Sequence, residues 1–80
     1  MAQPQRKMTP DEEKSWFKVR VALKIDPLTS DFYKEIKIHV NRNEVTLDGS
    51  VPTAEAAQQA AKVVEAVPDV VNVVNNLKVG

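Results

Sequence analysis

The sequence predicts an α+β domain of order α-β-β-α-β, a three-stranded mixed sheet with two helices packed on one face. Three observations carry this reading. A capped, amphipathic run occupies residues 10–25, and two alternating runs follow it across a short polar turn. The stretch 45–79 then passes from a period of two to a helical period and back, the pattern and size of a strand–helix–strand crossover. Such a crossover is right-handed when its strands are parallel. The pattern leaves open whether the last strand lies beside the second, parallel, or beside the first, antiparallel.

Taken in order, residues 1–8 are polar with one proline and are expected to be disordered, leaving residues 9–80 as a single domain. Thr9-Pro10-Asp11-Glu12 is a helix start: a hydroxyl at the cap, proline at the first helical position and a glutamate three residues past the cap to close a capping box. Asp11, Glu12 and Glu13 also sit at the positive end of the helix dipole, so this carboxylate cluster reads as capping and not as acid–base chemistry. The first helix is expected to end near Ile25, because Pro27 disfavours helical geometry at Asp26. It carries two apolar stripes. Trp16, Val19, Ala22 and Leu23 share one face, and Phe17, Val21 and Ile25 follow at i, i+4, i+8 on roughly the opposite one, among Lys14, Lys18, Arg20 and Lys24. One stripe suffices to cover a sheet; the second is surplus.

Residues 26–31 (DPLTSD) form a loop that ends in Phe32 and Tyr33. Residues 35–40 alternate, with Ile36, Ile38 and Val40 inward and Glu35, Lys37 and His39 outward. Asn41-Arg42-Asn43-Glu44 reads as a hairpin turn in which asparagine takes the positive φ. In the second strand Val45, Leu47, Gly49 and Val51 point inward, Gly49 marking a close approach or a bulge. The second helix is expected over residues 53–67 with an inward stripe of Ala57, Ala60, Ala61, Val64 and Val67. A third strand leads to Gly80, and Asn75 falls at an inward position of it, expected to bond backbone groups near Gly49.

Composition excludes several classes of function. There is no cysteine, so disulfides, thiol catalysis and thiolate metal sites are out. Eleven basic residues balance eleven acidic ones, which speaks against nucleic-acid binding, and the two glycines do not form the G-x-x-G loop of a KH-type RNA module. Residues 1–44 hold nine basic and seven acidic side chains, against two and four in residues 45–80, so the front half is mildly positive. No apolar run reaches membrane-spanning length, and the basic start has no apolar segment behind it, so it does not read as a signal peptide. No nucleophile–base pair, phosphate loop or metal cluster can be assembled, so no enzyme activity, cofactor or metal is expected. His39 stands alone and reads as a solvated histidine.

The residues just described resemble the BON domain, a family named for bacterial osmotically inducible and nodulation proteins. The likeness rests on Val19, Leu23 and Asp26-Pro27, on Ile36, Ile38 and Val40, on the V-T-L-x-G-x-V strand from Val45 to Val51, on Pro68-Asp69-Val70, and on Val73, Asn75, Leu77 and Val79. It spans Asp11 to Val79. Asp69 stands where the family usually has glycine, and Glu44 follows Asn43 where glycine is common. The resemblance implies a non-catalytic binding module of the bacterial periplasm or cell envelope, often fused or in tandem. Members are associated with osmotic stress and phospholipid surfaces. A cytoplasmic location stays open.

Two sites follow as expectations. The first is a contact surface for an anionic phospholipid or an envelope protein, made of Trp16, Phe17, Lys18, Val21, Lys24, Ile25, Phe32 and Tyr33: an apolar stripe edged with basic residues suits an anionic headgroup layer. Its bland counterpart is packing of the stripe on Leu28, Phe32 or Tyr33. The alternative is a small-ligand or potassium-type cation sensor at the strand ends, using Asp48, Asp69 and Asn75, with Asp31 as a further oxygen donor; no calcium-loop spacing supports it.

Overall fold

The structure, a computed structural model, describes residues 8–80. Helix α1 (Pro10–Ile25) is followed by a short 3-10 turn (Tyr33–Glu35), strands β1 (Ile36–Asn41) and β2 (Glu44–Val51), helix α2 (Ala54–Glu65), and strands β3 (Asn72–Asn75) and β4 (Lys78–Val79). The expected α-β-β-α-β order is therefore present. β2 is central: β1 lies antiparallel on one side, and β3 and β4 lie parallel on the other. That settles the order left open by the hydrophobic pattern.

β3 and β4 are one strand with a break. Leu47 pairs Asn75 and Ser50 pairs Lys78, so the register is the same on both sides (75 − 47 and 78 − 50 are both 28). The break has a local cause. Asn75 Oδ1 accepts the Leu77 N–H at 3.1 Å, while its Nδ2 donates to the Ala57 carbonyl of α2 at 3.1 Å. Asn75 thus bonds the helix backbone, not the Gly49 region, and at a sheet edge it remains exposed although its position is inward.

Helix α1 starts as the capping box requires. Thr9 Oγ1 accepts the Glu12 N–H at 3.2 Å, and Glu12 Oε1 accepts the Thr9 N–H at 2.8 Å. It ends at Asp26, whose carboxylate organises the following loop: Oδ1 accepts the N–H groups of Leu28 and Thr29, and Oδ2 accepts Gln59 Nε2 of α2 at 3.0 Å. The Gln59 amide, with the two backbone donors, holds the Asp26 carboxyl below its ordinary pKa against a smaller opposing effect of burial. Thr29 is fully buried and its hydroxyl donates to the Leu23 carbonyl, satisfying a free acceptor of the last helical turn.

Val19 and Leu23 of α1, Ile36 and Val40 of β1, Val45, Leu47 and Val51 of β2, and Ala56, Ala57, Ala60, Val64 and Val67 form the core. Alanines on α2 let the helix axis approach the sheet closely. The helix stops at Glu65, earlier than the periodicity suggests, because its last turn tightens: Val67 N–H donates to Val64 O ahead of Pro68. Ala56 is buried in place of Ala61, which is half-buried.

Gly49 lies at φ 116°, and a Cβ there would stand 2.2 Å from the Glu35 carbonyl oxygen, so the expected close approach is to the backbone leading into β1 rather than to a helix. In the hairpin turn the positive φ falls on Arg42 (58°), not on an asparagine. The reason lies elsewhere in the chain: Glu12 Oε2 accepts the Arg42 N–H at 2.6 Å, and Glu12 itself is only 3 % exposed. The expectation of disorder over residues 1–8 falls on residues outside those described, save Met8, which packs against the core.

Candidate docking face on helix α1

Burial divides the eight residues expected to form a contact surface into two groups. Phe17 and Ile25 are 62 % and 73 % exposed, and Val21 is half-buried between them. With Lys18 and Ala22 these residues line a shallow hollow of 290 Å³ on the outer side of α1. The stripe is not enclosed by this chain's own atoms. At 100° per residue its members lie opposite Val19 and Leu23, so a helix that buries the latter pair must present the former. Lys24 is exposed on one edge. Lys18 lies on the other, where its Nζ is 2.7 Å from Asp69 Oδ2 with both side chains about half exposed. That ion pair ties α1 to the turn between α2 and β3; at such exposure it contributes little to stability.

Trp16, Phe32 and Tyr33 form the second group. All three are half-buried and pack against the core. Arg20 joins two of them: its guanidinium carbon is 5.4 Å from the Trp16 ring centroid and 5.4 Å from that of Tyr33. This aromatic–arginine–aromatic stack sits on the flank of α1 facing the 3-10 turn. It anchors the turn to the helix and keeps the two rings apart from the Phe17 stripe.

Sequence periodicity did not foresee the neighbouring hollow of 410 Å³, lined by Ala22, Ile25, Asp26, Pro27, Val63, Ala66 and Val67. It joins the stripe through Ala22 and Ile25, which line both. A helical wheel of α2 places Val63 and Ala66 on one flank, but only the packing of α2 beside α1 shows which element they face.

Asp48, Asp69 and Asn75 each have a different partner. Asp48 Oδ2 lies 3.3 Å from His39 Nε2 on the open sheet face, Asp69 pairs Lys18, and Asn75 bonds α2 and Leu77. Among the described residues, no group of three or more histidine, cysteine, aspartate or glutamate side chains is placed to hold a metal ion. A further hollow, of 570 Å³, is lined by Thr9, Asp11, Glu12, Lys14, Ser15, Arg42, Asn43 and Asp69. Its charges are of both signs and its polar groups already bond one another: Asn43 Nδ2 donates to the Asp69 carbonyl, and Glu12 accepts from Thr9 and Arg42.

The family model described as BON domain matches residues 17–80, four-fifths of the chain, from the exposed Phe17 to the last strand. The chain belongs to the BON-domain family. No match to a curated protein was found. BON domains are in general phospholipid- or envelope-associated binding modules and form a non-catalytic family. In this BON domain the turn positions that depart from the common glycines need none: among the described non-glycine residues only Arg42 has a positive φ, and Asp69 does not. No helix among the described residues is long and apolar enough to cross a membrane.

Proposed function

We propose that this BON domain attaches its parent protein to an anionic phospholipid surface of the bacterial envelope through the outer face of α1, without catalysing a reaction. The single observation behind this is the exposure of Phe17 and Ile25 on a stripe flanked by Lys14, Lys18 and Lys24. Apolar side chains at these exposures stabilise the domain little, yet they form one continuous line. A surface that is apolar along its axis and basic at its edges complements a bilayer whose headgroups are negative and whose acyl region is dry. The charge of Lys18 is offset by Asp69, 2.7 Å away and also about half exposed, so the basic character of the edges rests chiefly on Lys14 and Lys24.

The test is co-sedimentation of the full chain with vesicles. Binding to phosphatidylglycerol-containing vesicles that weakens as salt rises from 50 to 300 mM, with little binding to pure phosphatidylcholine, supports the proposal. Equal binding to both, or none to either, contradicts it and leaves an envelope protein as the partner to seek.

A further inference from the structure

The outer stripe of α1 ends in a hollow that belongs equally to α2. Ala22 and Ile25 line both, so apolar surface runs unbroken from Phe17 across to Val63, Ala66 and Val67. Leu28, just past Pro27, adds 40 % of its surface to the exposed apolar residues at this end. Charge is graded along the same helix. Asp11, Glu12 and Glu13 occupy its first turn, and Lys14, Lys18, Arg20 and Lys24 follow. An anionic surface repels the first turn and attracts the rest, so a level approach of α1 is not the one of lowest energy.

We infer that the domain docks on an anionic bilayer tilted, with the C-terminal ends of α1 and α2 deepest and the hollow between Ala22, Ile25 and Ala66 facing the acyl region. The inference rests on the phospholipid reading above and adds to it a second helix and a direction. Asp26 also lines this hollow, but its carboxylate is turned to Gln59, Leu28 and Thr29, which supply the donors that a submerged carboxylate needs.

The chain has no cysteine, so single cysteines carry a fluorophore without background. Ile25→Cys, Ala66→Cys, Asp11→Cys and Lys37→Cys all replace exposed residues. Each full-length variant is labelled with an environment-sensitive dye and mixed with phosphatidylglycerol–phosphatidylethanolamine vesicles containing a nitroxide on the acyl chain. The expected result is strong quenching at positions 25 and 66, at least roughly threefold less at 11, and none at 37 on the open sheet face. Quenching at 25 without 66, or equal quenching at 11 and 25, overturns the inference while the phospholipid reading stands. Failure of the unlabelled chain to bind these vesicles removes both.

A label-free pair gives the same decision. Ala66→Glu, at the residue that caps the C-terminus of α2, and Gln58→Glu, within the helix, change the charge equally at exposed positions. Ala66→Glu is expected to weaken vesicle binding by roughly fivefold or more and Gln58→Glu by less than about twofold. Equal losses overturn the inference.

Discussion

Glu12 Oε2 accepts the backbone N–H of Arg42 at 2.6 Å, joining the first turn of α1 to the β1–β2 hairpin across thirty positions of sequence. The other oxygen of the same carboxylate closes the capping box on Thr9. One buried side chain thus sets where the helix starts and where the hairpin turns. Glu12→Ala removes both acceptors and strands donors in a half-buried setting, a loss of roughly 2–4 kcal/mol. Urea unfolding of the variant measures it. A loss below about 1 kcal/mol would mean that water replaces the carboxylate freely.

Arg42 is the one described non-glycine residue at positive φ, a conformation costing an L-residue roughly 1–2 kcal/mol. Arg42→Gly relieves that cost, keeps the N–H for Glu12, and loosens the unfolded chain. The expected balance is a gain of about 0.5–1 kcal/mol in the same urea experiment. A destabilised glycine variant would show that the arginine side chain holds the turn.

Gly49→Ala is expected to be the most damaging single change. Its Cβ would lie 2.2 Å from the Glu35 carbonyl oxygen, an obstacle made of backbone that has no rotamer to escape to, and φ 116° is strained for alanine. A loss of more than about 3 kcal/mol follows, enough to leave a small domain largely unfolded. Circular dichroism at 25 °C checks this, and a cooperative native-like melt would contradict it.

Asp26 makes stability depend on acid. Its carboxyl titrates below the ordinary range because Gln59 and two backbone N–H groups bond the charged form. A group whose folded pKa is depressed contributes above its unfolded pKa and loses that contribution as pH falls through the folded value. Wild type should therefore melt higher than Asp26→Asn at pH 7, with the gap closing below about pH 4. A gap unchanged down to pH 2 would assign the effect to geometry and not to charge.

Much of this architecture is legible in the chain, and the exceptions share a cause. Thr9, Pro10 and Glu12 announce the first helix because capping is local. The alternation of Val45, Leu47 and Val51 announces the central strand because burial of one face repeats every second residue. What stays hidden depends on contacts distant in sequence. Glu12 reads as a cap, and nothing around it shows that its second oxygen reaches Arg42. Asn75 reads as an inward amide, and only the placement of α2 makes the Ala57 carbonyl its partner. Trp16 and Phe17 are adjacent aromatics with similar neighbours, yet one stacks on Arg20 and packs on the core while the other faces outward. The surplus stripe was readable from its spacing; the share of the surface contributed by Val63 and Ala66 was not, because the groove exists only where two helices meet.

The most direct measurement is the vesicle affinity of Phe17→Ser combined with Val21→Ser, beside its urea stability. Phe17 is largely exposed and Val21 half-buried, so stability is expected to stay within about 1 kcal/mol of wild type. Affinity for phosphatidylglycerol vesicles is expected to fall by about tenfold or more, since two apolar side chains no longer leave water on docking. A folded double variant that binds as tightly as wild type would contradict docking through this helix face.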